Sequence, residues 1–133
     1  EGETYTLSEL KGNAVLVNLW ATWCPPCRMA MPKLDDLQKK EKADLVVIGI
    51  SDEPESKVRG FIKQNPHSYA QAVDTTRAIN SALGIQGIPH VVVLSTDGII
   101  RWQGNPLDPN FPTVVADVIK ADPGVAARRA AAK

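Results

Sequence analysis

Two short apolar runs on either side of a segment with helical periodicity limit the possible folds of this chain more than any other feature. Residues 14–19 (AVLVNL) and 45–50 (LVVIGI) are rich in Val, Leu and Ile, which is typical of strands that are buried on both faces. Between them, apolar side chains recur near helical spacing up to Leu37 and then give way to lysines, so the pattern predicts a helix over residues 25–40. A strand, a helix and a second strand in this order indicate parallel strands joined by a crossover helix.

The rest of the chain continues this alternation and then changes to antiparallel pairing. After the second run, Ser51-Asp52-Glu53-Pro54 has the residue types of a helix N-cap. The turn residues Ser95-Thr96-Asp97-Gly98 separate two further apolar runs and predict a β-hairpin. The fold class is therefore α/β, with a central mixed β-sheet flanked by helices and ending in a hairpin and a helix. The remaining predicted elements are a helix that carries Val58, Phe61 and Ile62, a strand over 69–73, a helix over 75–83 ended by Gly84, strands over 91–94 and 99–102, and a helix over 113–119.

Length and charge restrict the class of protein. The 133 residues suffice for one domain with its own core, and we expect that domain to cover residues 1–122, with 123–133 as a frayed or disordered tail. Fifteen basic and fifteen acidic side chains cancel, and no dense run of Lys or Arg occurs, so binding to nucleic acid is not expected. No apolar run approaches the ~18 residues of a membrane span. These features predict a soluble monomer without membrane contact of its own.

The two cysteines of the chain lie together in the motif Trp23-Cys24-Pro25-Pro26-Cys27, between the first predicted strand and the first predicted helix. Open α/β sheets usually place reactive groups at the carboxyl end of a central strand. With Cys24 at the N-cap and Pro25 at the first helical position, the Cys24 sulfur would face the positive end of the helix dipole, which favours its thiolate. Cys27 follows one turn later, faces inward, and can attack a mixed disulfide on the more exposed Cys24. The two prolines stiffen this spacing, but they also remove two N–H groups that could stabilise the thiolate.

Three other interpretations of the cysteine pair explain the sequence less well. A structural zinc site needs four ligands, and only His67 and His90 are available beside the cysteines, at no usual zinc-finger spacing. Two inert core cysteines would not require flanking prolines and a tryptophan. A purely structural disulfide across so short a loop removes little unfolded-state entropy. Thiol-disulfide exchange, with Cys24 as nucleophile and Cys27 as resolving thiol, is the favoured hypothesis.

The motif and its surroundings resemble the thioredoxin superfamily, and within it the TlpA/ResA-like thiol-disulfide oxidoreductases that face the cell envelope. The similarity runs from Thr6-Leu7-Ser8-Glu9-Leu10-Lys11-Gly12 to about Ala121 and includes residues 15–22, just before the cysteine motif. It implies a thioredoxin fold and dithiol exchange. The other matching positions are Pro32, which kinks the family's helix, Gly87-Ile88-Pro89, the family's cis-proline loop, Asp97-Gly98, its hairpin turn, and Gly104 after its last strand.

The resemblance also implies which residues contact a substrate. It reverses the ordinary preference of an X–Pro bond for trans and predicts a cis bond between Ile88 and Pro89. That bond would present the Ile88 backbone to an extended substrate segment for strand-like pairing. His90 follows directly, and we interpret it as a partly buried structural histidine and not as a base or ligand. The residues expected to shape the substrate groove are Trp23, Pro25, Pro26, Ile88 and Pro89.

The chain departs from the family pattern where an acid would serve the resolving cysteine. Many relatives place a carboxylate beneath that cysteine, either on the first strand, where this chain has Asn18, or one helical turn beyond, where it has Ala30. Neither side chain can take up the Cys27 proton. Asn18 is expected to hydrogen-bond backbone groups in the core, and the acids Asp52, Glu53 and Asp74 are expected to be cap and turn residues.

We therefore predict a disulfide reductase that exchanges its dithiol with protein disulfides and is itself reduced by an upstream dithiol donor, with no metal or organic cofactor. The resemblance implies the bacterial periplasm or the extracytoplasmic face of the membrane. The chain opens on polar residues 1–4 and not on an export signal, so we expect the signal or anchor to lie outside this sequence. Two alternatives stay open: a cytoplasmic, tryparedoxin-like electron carrier to a peroxidase, and a non-catalytic thioredoxin-fold binding domain.

Overall fold

The computed structural model describes residues 12–132, in which strands alternate with helices and a hairpin precedes two final helices. The predicted similarity over Thr6–Lys11 lies outside the described residues. The strands are β1 (Ala14–Trp20), β2 (Leu45–Ser51), β3 (Ala70–Val73), β4 (His90–Leu94) and β5 (Ile100–Gly104). The helices are α1 (Pro25–Lys40), α2 (Glu55–Gln64), α3 (Ala78–Leu83), α4 (Phe111–Ala121) and α5 (Pro123–Ala131).

The described strands form a mixed sheet with the order β3-β2-β1-β4-β5. β1 is parallel to β2, and β2 to β3, whereas β4 is antiparallel to both β1 and β5. The predicted α/β class, with parallel pairing early and antiparallel pairing late, is confirmed. All seven residues of β1 are buried, and the strand pairs with β2 on one side and with β4 on the other. Since β1 ends at Trp20, the cysteine motif leaves the carboxyl end of the central strand.

Apolar packing on both faces of the sheet holds helices against it, because alternate residues of a strand face opposite sides. On one face, Leu16 of β1 packs in a cluster with Leu34 of α1 and Val115 of α4. On the other face, Val17 lies in a cluster with Leu83 of α3. Between residues 12 and 132, none of the helices is both long enough and apolar enough to span a membrane.

The helix α3 begins later than predicted, because Asp74 forms a turn with the residues that follow it. The helix begins at Ala78 and not at residue 75. Before it, the Asp74 carboxylate accepts hydrogen bonds from the Thr76 hydroxyl (2.7 Å) and the Ile79 amide (3.1 Å), which confirms Asp74 as a turn residue. Gly84 ends the helix with a left-handed φ of 64°, as predicted.

The N-cap of α2 falls within the predicted segment, but it lacks the predicted capping side chain. The N-cap position is taken by Pro54, which makes no side-chain capping hydrogen bond. Ser51 instead ends β2, and the Glu53 carboxylate accepts hydrogen bonds from Thr22 in the loop after β1. Asp52 forms an ion pair with Arg77. The local residue types of a cap are therefore used for contacts with residues distant in sequence.

The residues beyond Ala121 are helical and packed, which corrects the prediction of a frayed or disordered tail. The Asp122 carboxylate caps α5 by accepting a hydrogen bond from the Gly124 amide (2.9 Å). Val125 is only 2% exposed and lies in the same core cluster as Leu16. Burial of this side chain stabilises the helix on the domain, so the packed core continues past the predicted boundary at residue 122.

Two arginines of α5 attach the helix to the start of the sheet. Arg128 donates to the backbone carbonyls of Gly12 (2.8 Å) and Ala43 (2.6 Å) and to the carboxylate of Asp44 (2.7 Å). Arg129 binds the same carboxylate, and this hydrogen bond is the main reason that the pKa of Asp44 lies below its usual value despite burial. A carboxylate with a lowered pKa stabilises the fold above its unfolded pKa, and this stabilisation is lost as the pH falls through the folded pKa.

Val125→Ala should lower the free energy of unfolding by about 2 kcal/mol, because it removes two buried methyl groups at roughly 0.8 kcal/mol each and leaves a small cavity. Val73→Ala removes the same groups from a side chain that is 37% exposed and should cost less than half as much. Urea unfolding of the two variants measures the difference. Equal losses would contradict the docked position of α5.

Candidate active site

The cysteine motif forms the junction between the central strand and the first helix. Cys24 is the N-cap residue of α1, with an extended backbone, and Pro25 and Pro26 occupy the first helical positions, as predicted. Cys24 and Cys27 form a disulfide with their Cα atoms 5.2 Å apart. The pair therefore stands where β1 delivers the chain to the positive end of the α1 dipole.

One backbone donor links the two cysteines. Helix N-caps usually accept a hydrogen bond from the second or third helical amide. Here the first two positions are prolines, which have no N–H, and the Cys27 amide lies 3.3 Å from the Cys24 sulfur. In the reduced protein the same amide would donate to a Cys24 thiolate and stabilise it.

The disulfide is more enclosed than the sequence predicts. Cys27 is fully buried, as expected, and Cys24 is only slightly more accessible, at 3% exposed, in the oxidised form. The buried side of the pair packs in a cluster with Trp20 and Met31, and the Ile88 carbonyl oxygen lies 3.9 Å from the Cys24 sulfur. The Ile88 loop therefore borders the Cys24 sulfur.

The loop before β4 has the predicted geometry. The bond between Ile88 and Pro89 is cis. An open cleft of about 470 Å³ runs from this loop to the end of β5. His90 is half-buried, and its Nε2 lies 3.0 Å from the Gln103 Oε1 atom, in keeping with the predicted structural role. The polar side chains along the cleft, which the sequence analysis missed, are Gln86, Gln103 and Asn105.

Several exposed apolar side chains lie next to Cys24 in the sequence. Trp23 is 65% exposed, and Pro25 and Pro26 are exposed beside it. Met29, also 65% exposed, extends this surface one turn along α1, since residues three and four apart share a helix face. The helical spacing of Met29 in the sequence does not by itself indicate this position beside the site.

A chain of hydrogen bonds runs from the buried side of the cysteines to the surface. The Trp20 indole N–H donates to the Gln71 Oε1 atom (2.8 Å), and the Gln71 Nε2 atom lies 3.0 Å from the His67 Nε2 atom. Gln71 pairs with Gly49 across the sheet, and its side chain fills the space that a Cβ at Gly49 would occupy. Glycine at position 49 thus leaves room for the Gln71 side chain and is not needed for backbone freedom.

The site contains a buried amide without a partner. Both polar atoms of the Asn18 side chain are buried and unbonded, so the prediction that Asn18 satisfies backbone groups is wrong. Along β1, Asn18 lies between Leu16, which packs with Leu34 of α1, and Trp20, which packs with Cys27. It therefore faces α1 below the cysteines. Ala30, the other position without an acid, is fully buried.

Comparison with known families agrees with this geometry. The model of the Redoxin family matches residues 1–118. The chain belongs to the Redoxin family. Within residues 12–132 of this redoxin, no three His, Cys, Asp or Glu side chains are grouped in a way that could hold a metal ion.

The relatives of this redoxin carry names from the family predicted above. The thioredoxin-like protein YneN of Bacillus subtilis (strain 168) is 33% identical over 104 residues, which cover 75% of this chain and 61% of that protein. The thiol-disulfide oxidoreductase ResA of Bacillus thuringiensis (strain Al Hakam) is 32% identical over 105 residues, covering 77% of this chain and 61% of ResA. The redoxin thus spans about three fifths of the length of these curated relatives. The resemblance to TlpA/ResA-like proteins is confirmed.

A solved structure confirms the predicted thioredoxin fold. The crystal structure of a thiol:disulfide interchange protein, a thioredoxin family protein of Chlorobium tepidum TLS, superposes with a TM-score of 0.70 at 28% identity. The match covers 86% of each chain. The described sheet and helices of the redoxin therefore have the architecture of that family.

Reduction of the disulfide should increase the intrinsic fluorescence of this redoxin, because a disulfide quenches a nearby indole. Trp20 packs against the cysteines, and Trp23 precedes them, whereas Trp102 packs against Phe111 in a separate cluster. Emission spectra before and after dithiothreitol should therefore show nearly the full change in Trp102→Phe and most of it lost in Trp20→Phe. Loss of the response in Trp102→Phe alone would contradict the placement of the tryptophans.

Resolution of a Cys24 mixed disulfide should show no base that titrates near neutral pH, because neither Asn18 nor Ala30 ionises. Asn18→Asp is nearly isosteric and should add an ionisation to the pH profile between about pH 5 and 10. It should also speed resolution near neutrality, by up to about 10²-fold if the new base is well aligned. Single-turnover resolution of a preformed mixed disulfide measures both effects.

Asn18→Leu is the matched control for this experiment. It removes the unbonded amide without adding a charge, so it should keep the wild-type pH profile and should not lower stability. A base that titrates near neutrality in the wild type would contradict the argument from Asn18.

Proposed function

We propose that this redoxin is a thiol-disulfide oxidoreductase that works as a reductase of protein disulfides. The observation that carries the proposal is the Cys24–Cys27 disulfide at the N-cap of α1, with the Cys24 sulfur beside the Ile88 carbonyl. This arrangement combines a stabilised nucleophile, a resolving thiol and a main-chain docking edge. The names of its relatives, ResA among them, support the same activity.

The proposed reaction has two exchange steps. The Cys24 thiolate attacks one sulfur of the substrate disulfide, a mixed disulfide forms, and the first substrate thiolate leaves. Cys27 then loses its proton and attacks the Cys24 sulfur, which closes the Cys24–Cys27 disulfide and releases the second substrate thiolate. Two electrons pass from the protein to the substrate, and both substrate thiolates take up protons. A dithiol donor of the same class returns the two electrons by the reverse exchange.

The substrate in this proposal is an extended polypeptide segment. The Ile88 backbone would pair with it as an added strand does, next to the cis Pro89. The exposed apolar side chain of Trp23 and the prolines Pro25 and Pro26 would contact it on the other side. Main-chain pairing and apolar contact favour many sequences, so the groove suits a reductase with several protein substrates.

The proposed location is extracytoplasmic, in the bacterial periplasm or on the outer face of the membrane. The resemblance to TlpA/ResA-like proteins supports this location. Disulfides form and persist outside the cytoplasm, and a reductase there meets its substrates.

Cys27→Ser should accumulate covalent complexes with protein substrates, whereas Cys24→Ser should not, because only Cys24 lies beside the Ile88 edge. Non-reducing gels of each variant after incubation with disulfide-bonded insulin measure the trapping.

Wild type should reduce insulin with dithiothreitol as donor. A reduction potential near about −270 mV would support the reductase direction, and one near about −120 mV would contradict it.

The double variant Cys24→Ser, Cys27→Ser is the control for non-specific adducts. Equal trapping by both single variants would overturn the assignment of nucleophile and resolving thiol. Failure of the wild type to reduce insulin would favour a non-catalytic binding domain.

A further inference from the structure

Glu53 is a buried carboxylate at the active-site end of the sheet. Three acidic side chains are buried among residues 12–132: Asp44, Glu53 and Asp122. Asp44 precedes β2, and Asp122 binds Thr96 just after β4, so both lie at the far end of the sheet, where Val15 pairs with Leu94. Glu53 and Thr22 each lie two residues beyond the ends of β2 and β1, which pair at Ser51 and Trp20.

Four donors bind the Glu53 carboxylate. One oxygen accepts from the Thr22 amide (2.7 Å) and the Ser51 hydroxyl (2.8 Å). The other accepts from the Thr22 hydroxyl (2.7 Å) and lies 3.3 Å from the Lys57 ammonium. Thr22 is itself buried, so these bonds satisfy groups that would otherwise be unpaired in the core.

The Glu53 carboxylate is ionised at neutral pH, and each of its oxygens has two partners. Burial alone would raise the pKa of Glu53, but the hydrogen bonds from Thr22 and Ser51 and the contact with Lys57 together hold it below its usual value. With its lone pairs taken by four donors, Glu53 is poorly placed to accept the Cys27 proton. Its contacts at this end of the sheet bind Thr22 instead.

Thr22 is the middle of the turn that carries Cys24. The Cys24 amide donates to the Ala21 carbonyl across this turn (3.3 Å), and the Cys24 sulfur faces the Ile88 carbonyl on the neighbouring loop. Holding Thr22 against β2 therefore fixes the sulfur relative to the Ile88 edge. A displacement of about 1 Å between reacting groups can cost a factor of 10² in rate.

We propose that Glu53 is a positioning residue for thiol-disulfide exchange, acting through Thr22 to align the Cys24 sulfur with the main-chain edge of Ile88. The inference rests on the proposed function, because it concerns the docking of polypeptide disulfides. A small disulfide meets only the sulfur and needs no such alignment. We call the hydrogen bonds between Glu53 and Thr22 the clamp. Loss of the clamp should therefore slow exchange with polypeptide substrates and have little effect on exchange with small ones.

The test compares two probes in a Cys27→Ser background, where the Cys24 thiolate displaces one thiolate from the probe and forms a stable mixed disulfide. The probes are insulin with its disulfides intact and 2,2′-dipyridyl disulfide. Glu53→Asp keeps the charge but is one methylene shorter, and Glu53→Gln keeps the length but loses the charge. Both should slow the insulin reaction about tenfold or more, while the rate with dipyridyl disulfide stays within about threefold.

Asp122→Asn is a matched control, because Asp122 binds the amide and hydroxyl of Thr96 (both 2.7 Å) as Glu53 binds those of Thr22. It should lower stability without changing the ratio of the two rates. Thr22→Ser retains both donors and should keep the wild-type ratio. Thr22→Val keeps the hydrogen bond from the Thr22 amide to Glu53 but loses the one from the hydroxyl. It tests the clamp with a smaller change if the Glu53 variants fail to fold.

Amide hydrogen exchange at Thr22 measures, without any substrate, whether its hydrogen bond to Glu53 is formed. The amide should be protected in the parent protein and should lose protection in Glu53→Asp. Unchanged protection, or a fall of both rates in the same proportion as in Asp122→Asn, would overturn the positioning role. A parent protein that does not react with insulin would overturn the proposed function, and protection at Thr22 would still show whether Glu53 holds the loop.

Discussion

The rest of the site depends on the hydrogen bond from the Cys27 amide to the Cys24 sulfur. It forms because Cys24 leaves β1 in an extended conformation and two prolines then begin the helix without N–H groups. Cys24 and Cys27 are thereby held within one turn by a bond between the Cys27 backbone and the Cys24 side chain. A fully buried central strand and a sixteen-residue helix fix this turn from both sides, so the site is built on rigid elements.

The parts of the fold with strong local patterns were predictable. β1 and α1 follow from an uninterrupted apolar run and from helical spacing, and the N-cap position of Cys24 follows from Pro25. The cis bond at Pro89 came only from the family resemblance, because local sequence favours trans.

The contacts that the sequence did not reveal join residues far apart in the chain. Arg128 and Asp44 are 84 residues apart, and Glu53 and Thr22 are 31 apart, and no periodic pattern records such pairs. Asp122 followed by Pro123 is a helix start that the pattern does contain, but an Ala-rich segment forms a stable helix only when it is packed. Glu53 lies in a segment with cap and turn residues, and only its position two residues beyond β2, like that of Thr22 beyond β1, indicates the contact.

Asn18 shows how the core accommodates the absence of an acid beneath the cysteines. A carboxylate at this fully buried position would have its pKa raised by desolvation and would couple its own proton to the state of the disulfide. The amide carries no charge at any pH, so the space below Cys27 has the same charge in the oxidised and reduced protein. The unbonded amide atoms cost some stability, and in exchange the environment of the disulfide is independent of pH on this side.

The side chain of Gln71 crosses Gly49 to reach Trp20, and this geometry couples three positions on three neighbouring strands. A side chain at position 49 would collide with the end of the Gln71 side chain, and the shift of that amide would weaken its hydrogen bond with the buried indole of Trp20. The three residues should therefore vary together during evolution. Proteins that share this arrangement should keep glycine at position 49 wherever they keep both Gln71 and Trp20, and should tolerate larger residues there only when the tryptophan has been replaced by a residue that needs no acceptor.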